Sequence, residues 1–141
     1  MLFRSEKQES IHLELFPKVK EYKNKDELNE IWNLFFNIKN DVYKALEEAR
    51  NNKIIGKSLE AKVYLKLLDE DKEVLKEILP SLKQLLIVSD VVLSPNDMHQ
   101  YDYCGVEIKK FDGIRCERCW NYFEKSDIIE DICPRCHDVI N

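Results

Sequence analysis

Two Cys-x-x-Cys pairs near the C-terminus constrain this chain more than any other feature. Cys116 and Cys119 form the first pair, Cys133 and Cys136 form the second, and thirteen residues separate them. Each pair can place two thiolates on one side of a tetrahedron, so two pairs together can surround a zinc ion with sulfur. Such a site is structural, because no coordination position remains for a substrate. Disulfide pairing is the alternative interpretation of the same cysteines.

The charge balance of the 141-residue chain restricts its function. It carries 22 basic and 27 acidic residues, which give a net charge of −5 before any metal–thiolate charge is counted. A globally basic nucleic-acid binder is excluded, and contact with a polyanion would require a local cluster of Lys and Arg. The length predicts one modest core with a small metal-bound appendage.

The N-terminal residues and the fifth cysteine bear on the cellular compartment. Residues 1–10 are mostly polar, which argues against a signal peptide, and no apolar run approaches the roughly twenty residues that span a bilayer. We therefore expect a cytoplasmic protein without a membrane partner, where reducing conditions favour metal over disulfides. Cys104 has no close His or Lys, so we expect a packed thiol rather than a nucleophile.

A long amphipathic helix is predicted over residues 26–51. Asn24 and Glu27 have the spacing of a capping box at its start. Apolar side chains then recur at helical spacing, namely Leu28, Ile31, Trp32, Phe35, Ile38, Val42, Leu46 and Ala49. This stripe needs a partner surface, which is either a core within this chain or a bundle whose other helices lie upstream of Met1. In the second case the chain is a fragment.

The middle of the chain is predicted to be α+β. Residues 61–67 alternate apolar and polar side chains, as a half-buried strand does. A second helix is predicted from about Asp71, with Pro80 either breaking it or starting a new turn. Two further strands are predicted over residues 87–93 and 105–111.

No catalytic constellation is evident. Gly56, Lys57 and Ser58 resemble part of a phosphate-binding loop, but Asn51 stands where that loop needs a glycine, and the order of helix and strand is reversed. His137 follows the last cysteine directly and is expected at the surface, because four thiolates already satisfy a metal ion. The carboxylates fall among lysines on helix faces, where solvated charge is the default interpretation.

Two groups of short sequence motifs follow one another along the chain. The first comprises Ser10-Ile11-His12-Leu13, Phe16-Pro17, Trp32, Ala45-Leu46-Glu47 and Ile55-Gly56-Lys57-Ser58-Leu59-Glu60-Ala61. The second comprises Arg115-Cys116-Glu117-Arg118-Cys119-Trp120 and Cys133-Pro134-Arg135-Cys136. Together they resemble the C-terminal region of bacterial isoleucyl-tRNA synthetase, including its terminal zinc finger, a type also found in formamidopyrimidine-DNA glycosylases. The resemblance covers nearly the whole chain from Ser10 onward.

The resemblance implies a division into three parts. Residues 1–55 would be the terminal part of a helical anticodon-binding domain that ends in the long helix. Residues 56–113 would form a small α+β unit, with a three-stranded sheet and a second helix. Residues 114–141 would form a zinc finger with the four cysteines as its ligands.

The resemblance also implies a parent enzyme, a monomeric ligase that joins isoleucine to its tRNA. The His-x-Gly-His and Lys-Met-Ser-Lys-Ser signatures that handle ATP in this family have no counterpart in this chain. The chain alone therefore cannot form isoleucyl-adenylate, and ATP and magnesium would act only through a catalytic domain that it lacks. Its expected partners are isoleucine tRNA and the remainder of the synthetase, upstream in the same polypeptide.

The role implied for this segment is to hold the anticodon arm of isoleucine tRNA. RNA loops expose bases that stack on aromatic rings and on Arg planes, and their phosphates need local cations. The residues expected to supply these groups are Lys109, Lys110, Arg115, Arg118 and Trp120. For Trp120 the alternative role is to shield the metal and pack the finger. For the two arginines it is contact with a nearby carboxylate.

Two other function classes remain open. A DNA-repair glycosylase would use the same finger on duplex phosphates, but it should also carry a helix-two-turns-helix element and a catalytic N-terminal proline or glutamate, and neither is evident. A protein-interaction finger, whose acidic surface recruits a partner, fits the charge balance. Salt-sensitive tRNA binding would separate the synthetase role from this last class.

Overall fold

The structure is a computed structural model that describes residues 10–13 and 15–140. Residues 1–9 and Glu14 of the first predicted domain, and Asn141 of the last, lie outside the described residues. The expectation that the chain has no signal peptide falls mainly on residues 1–9, which lie outside the described residues. A short 3-10 turn spans Ile11–Leu13, and residues 15–22 follow without regular secondary structure.

The long helix predicted from the apolar spacing is confirmed. Helix α1 spans Lys25–Asn51. Its buried residues are Ile31, Phe35, Ile38, Asp41, Val42, Ala45, Leu46 and Ala49. Within the described part of the chain, no helix is both long enough and apolar enough to cross a membrane.

The predicted capping box at the start of α1 is wrong. Asn24 precedes the helix, but its side chain makes no capping hydrogen bond. Its φ of −100° and ψ of 25° lie outside the extended conformation that lets an N-cap side chain reach back to the first turn. Asp26 and Glu27 place negative charge in the first turn instead, where the helix dipole favours it.

Three strands form one sheet, as predicted, and the structure shows that this sheet is mixed. Strand β1 (Ala61–Lys66) lies in the centre, with β2 (Asp90–Leu93) parallel to it and β3 (Gly105–Lys110) antiparallel. Buried and half-buried residues alternate along β1, which confirms the predicted half-buried strand. Strand β3 ends one residue before the predicted boundary.

The second helix is shorter and more broken than predicted. Helix α2 spans Asp69–Val74, a 3-10 turn spans Leu79–Ser81, and helix α3 spans only Leu82–Leu85. Pro80 lies at the start of the 3-10 turn, so the predicted start of a new turn is confirmed. Pro80 does not break α2, because that helix has already ended at Val74. Ile87 follows α3 in a left-handed conformation with φ 57°, so β2 begins at Asp90 rather than at residue 87.

One apolar core joins α1 to the sheet. Val42 and Leu46 of α1 belong to the same buried cluster as Val63 and Leu65 of β1, and Trp32 packs against its edge. The apolar stripe of the helix therefore finds its partner surface within this chain. The core includes residues on both sides of position 55, and the domain boundary there stays a prediction.

Cys104 is a packed thiol, as predicted. It is 1% exposed and belongs to the same core. Burial raises the pKa of Cys104 to about 12, and the negative charge of Asp41 acts in the same direction. The thiol therefore stays protonated and unreactive near neutral pH.

The C-terminal residues 114–140 carry the four paired cysteines, and we call this segment the knuckle. It contains the paired strands β4 (Ile114–Arg115) and β5 (Tyr122–Phe123) and helix α4 (Pro134–Ile140). The Tyr122 N–H donates to Ser89 Oγ over 2.8 Å, and Ser89 Oγ in turn donates to the carbonyl oxygen of Leu59. The buried Ser89 side chain therefore connects the knuckle to the body of the molecule.

Candidate metal centre and its cationic surroundings

The four paired cysteines come together in the knuckle. Cys116 and Cys119 lie in the turn between β4 and β5, while Cys133 and Cys136 lie just before and within α4. All four Sγ atoms lie within 4.8 Å of one another. Three of the side chains are buried and Cys119 is half-buried. The structure thus assembles one four-sulfur cluster from residues up to twenty positions apart.

The separation of the sulfur atoms fits a tetrahedral metal ion. A Zn–S bond of about 2.3 Å places two sulfurs of a regular tetrahedron roughly 3.8 Å apart. Cys119 Sγ and Cys133 Sγ lie 3.8 Å apart, far beyond the roughly 2.05 Å of a disulfide bond. All five cysteines of the chain are free thiols. The cluster can therefore hold one metal ion with four thiolate ligands, which leaves no position for a substrate.

Main-chain hydrogen bonds shape the turn that carries the first cysteine pair. The Trp120 N–H donates to the Cys116 carbonyl oxygen, and the Cys116 N–H donates to the Asn121 carbonyl oxygen, both over 2.9 Å. The turn closes with Trp120 in a left-handed conformation at φ 65°. The Cys133 N–H donates to Cys116 Sγ over 3.3 Å and so links the two pairs.

The protein environment shifts the pKa values of two of the thiols in opposite directions. Burial alone would raise the pKa of Cys116, but N–H groups of Cys119, Cys133 and Arg118 donate to its sulfur and lower the pKa to about 6. Burial raises the pKa of Cys133 to about 12. Metal ligation needs thiolates, so an ion entering this cluster has to displace protons.

Two of the predicted RNA-binding residues lie face to face beside the cluster. The guanidinium of Arg115 lies 6.0 Å from the centre of the Trp120 ring, a cation–π contact. Trp120 is 57% exposed. Its ring is therefore available at the surface, which differs from the packed role considered as its alternative.

The neighbours of these two residues include both signs of charge. Arg115 donates to Glu117 over 3.3 Å, the carboxylate contact considered as its alternative role. Lys57 lines a small cavity of about 50 Å³ together with Arg115 and Trp120. The sequence does not predict Lys57 as a site residue, because its place beside Trp120 depends on how the knuckle docks on the body. The sequence string that contains Lys57 supports the family resemblance but does not indicate a role for this side chain.

The remaining predicted RNA-binding residues are more dispersed. Arg118 is exposed within the turn of the first cysteine pair. Lys109 lies on β3, with its Nζ 5.0 Å from the centre of the Tyr64 ring and 3.5 Å from a Glu107 carboxylate oxygen. Lys110 is exposed at the end of the same strand. The structure thus joins Arg115 to Trp120, but records no contact between these two and either lysine.

Comparison with known proteins gives the chain a family context. No family model matches it. It is 45% identical over 141 residues to the isoleucine–tRNA ligase of Staphylococcus epidermidis, an alignment that covers 95% of this chain and 15% of that protein. The isoleucine–tRNA ligases of Staphylococcus carnosus and Staphylococcus aureus are each 43% identical, with the same coverage.

The chain therefore spans about 15% of the length of the curated relatives that it matches. Those relatives are named as enzymes, and the match runs through both the helix and sheet body and the four-cysteine knuckle. The resemblance of this chain to the C-terminal region of isoleucyl-tRNA synthetase is thereby confirmed.

Proposed function

We propose that this chain is the tRNA-binding C-terminal segment of an isoleucyl-tRNA synthetase, which positions the anticodon arm of isoleucine tRNA. The observation that carries the proposal is the 45% identity to such a ligase over 95% of the chain. The aminoacylation itself belongs to a catalytic domain upstream, which would use ATP and magnesium. The parent enzyme would be a cytoplasmic monomer.

The metal of the knuckle, in this proposal, is one structural zinc ion held by Cys116, Cys119, Cys133 and Cys136. Four thiolates favour zinc over the harder divalent cations, which prefer oxygen ligands. The knuckle has only a small apolar cluster of its own around the cysteines. Zinc would supply the folding energy that this cluster cannot, since structural zinc contributes roughly 10–16 kcal/mol in small fingers.

The exposed pair of Arg115 and Trp120 supports contact with RNA. Single-stranded nucleotides stack on aromatic rings and on Arg planes, and each stacked base contributes about 1–3 kcal/mol. Arg118 and Lys57 are exposed nearby and have no ion-pair partner among the described residues. Together with Arg115, these groups concentrate cations around Trp120 on a chain that is acidic overall, as phosphate binding requires, and Glu60 and Glu117 lie among them. Lys109 and Lys110 would extend this surface along β3.

A binding titration tests the proposal. The zinc-loaded chain is titrated with isoleucine tRNA, with a tRNA that carries another anticodon and with a DNA duplex, each at two salt concentrations. We expect preference for isoleucine tRNA, weaker binding at higher salt, and loss of affinity in Trp120→Ala and Arg118→Gln. Lys76→Gln is the control, because Lys76 pairs with Glu73 in a groove rich in glutamates.

Other outcomes of the titration would support the remaining classes. Preference for the duplex would favour a DNA-binding finger. Binding to none of the three would favour a protein-interaction role, for which the groove lined by Glu27, Glu30, Glu73 and Glu77 offers an acidic surface.

A further inference from the structure

A second cavity borders the knuckle. It has a volume of about 530 Å³, within the roughly 300–1,000 Å³ typical of small-molecule sites. Leu59 and Val88 of the body and Phe123 of the knuckle give it apolar walls, and Gln84 and Asn121 add side-chain amides. Apolar walls with a few hydrogen-bonding groups suit a flat heteroaromatic ring, which needs both.

Ile87 lines this cavity in a strained conformation. It occupies the position after the C-cap of α3: its N–H donates to the Gln84 carbonyl oxygen over 3.2 Å, and the Val88 N–H donates to that of Lys83 over 3.0 Å. This motif favours glycine, because the residue must adopt a left-handed φ, here 57°. A β-branched residue rarely adopts it.

Packing within the molecule does not account for an isoleucine at this position. The Ile87 side chain is 57% exposed, so its partial burial contributes little free energy to offset the backbone strain. Backbone strain of this kind concentrates at binding sites, where the side chain serves a contact with something else. The exposed apolar side chain beside the cavity indicates a ligand that covers it.

The charge of the cavity indicates what kind of ligand. Lys83 and Arg135 both line it, both are exposed, and neither has an ion-pair partner among the described residues. None of the described residues that line it is acidic. Cys119 and Cys133 also line it, so a bound metal would add a formally negative wall that suits the N–H edge of a base better than a phosphate.

We propose that this cavity binds one unpaired nucleotide of an RNA, with the base against Ile87 and Phe123 and the adjoining phosphates at Lys83 and Arg135. The inference rests on the RNA-binding function proposed above and adds a second cavity, which shares Leu59 with the cavity beside Trp120. An apolar peptide would leave the two cations unpaired, and a free phosphate would leave the apolar walls uncovered.

The first test compares variants of the full zinc-loaded chain for isoleucine tRNA affinity by fluorescence anisotropy. Ile87→Gly, Lys83→Gln and Arg135→Gln should each weaken binding by about fivefold or more. The two charge variants should also reduce the slope of log affinity against log salt by about one each. Lys76→Gln removes an equal charge in the glutamate-rich groove and should leave the affinity unchanged.

A stability measurement separates a lost contact from a lost fold. Glycine adopts a left-handed φ without steric cost, so Ile87→Gly should melt at the same temperature as the parent chain or higher. Weaker RNA binding together with unchanged or higher stability is the signature of a residue kept for its ligand. A loss of both in parallel would assign Ile87 a structural role and would count against the inference.

The second test uses AMP and UMP as probes and does not depend on tRNA. Titration of the ¹⁵N-labelled chain should shift the amide signals of Ile87, Asn121 and Phe123. Equal tRNA binding by the parent and all three cavity variants would overturn the inference and leave the proposed function standing. Shifts at the cavity without any tRNA binding would support a nucleotide site and contradict the proposed function. No shift and no tRNA binding would overturn both.

Discussion

Asp41 is a buried acidic residue on the inward face of α1. It is 1% exposed, and its Oδ2 accepts hydrogen bonds from the N–H groups of Tyr103 over 2.6 Å and Cys104 over 3.1 Å. Its Oδ1 is buried and has no hydrogen-bond partner among the described residues. The carboxylate thus joins the helix to the loop before β3, because it satisfies two main-chain donors that would otherwise be unpaired.

Replacing this carboxylate should therefore be costly. Asp41→Ala leaves two N–H groups without an acceptor in or near the core, so we expect the free energy of unfolding to fall by about 2 kcal/mol or more. Asp41→Asn keeps an acceptor oxygen of the same size and should lose less. Urea denaturation monitored by circular dichroism measures both. Equal losses in the two variants would show that the negative charge, rather than the acceptor, matters.

At the residue scale, the sequence predicts that the four paired cysteines cluster and misses their surroundings. The spacing of two Cys-x-x-Cys pairs is local information, so Cys116, Cys119, Cys133 and Cys136 could be singled out directly. Asp41 and Lys57 could not, because their partners are distant in sequence and depend on how the elements dock. Nothing in the helical pattern distinguishes a buried Asp41 from the solvated carboxylates around it.

Gly113 determines how the β4–β5 pair can close. A Cβ atom at this position would overlap the carbonyl oxygen of Phe123 and lie 2.6 Å from the Phe111 ring. The backbone of β5 cannot move aside without shifting Tyr122, whose N–H donates to Ser89. The glycine is therefore required by close packing between strands, not by an unusual φ.

Gly113→Ala should consequently disturb the knuckle. A forced backbone shift of this kind costs about 1–3 kcal/mol, so we expect the zinc affinity, measured by competition with a chelator, to fall about tenfold. Gly56→Ala is the matched control, because its Cβ would approach no atom closer than 3.6 Å. Unchanged zinc affinity in Gly113→Ala would mean that the metal site forms independently of the strand pair.

At the element scale, periodicity predicts α1 and the sheet well and the region between them poorly. Apolar spacing over about six turns leaves little ambiguity for α1, and strict alternation does the same for β1. The stretch from Asp69 to Ser89 carries leucines that suit a helix, yet Pro80 divides it. Strand β2 begins only after the left-handed Ile87, at Asp90. No sequence rule predicts an isoleucine at a position that favours glycine.

The part of the chain that the structure describes has two buried clusters of unequal size. The larger one unites α1 and the sheet, and the smaller one surrounds the cysteines of the knuckle. Only the larger cluster contains the extensive apolar burial that stabilises a fold without a metal. The sequence predicts these two clusters, because the four paired cysteines all lie near the end of the chain and the apolar helix and strand patterns lie before them.

Removal of zinc should therefore act on one part of the molecule. Chelation is expected to collapse the amide signals of residues 114–140 into the unfolded range and to leave those of α1 and β1 dispersed, as followed by ¹⁵N-correlated NMR. Far-ultraviolet circular dichroism should change little, because most of the helix lies in α1. Loss of signal dispersion throughout would show instead that the knuckle and the body fold as one cooperative unit.

The central claim, that the knuckle contacts the anticodon arm of isoleucine tRNA, can be measured at Trp120. The chain has two tryptophans, so Trp32→Phe leaves Trp120 as the sole indole emitter. We predict saturable quenching of its fluorescence by isoleucine tRNA, because a stacked base quenches the exposed ring, and much weaker quenching by the same tRNA with an altered anticodon. Emission that stays unchanged with isoleucine tRNA bound, or equal quenching by both RNAs, would contradict the account.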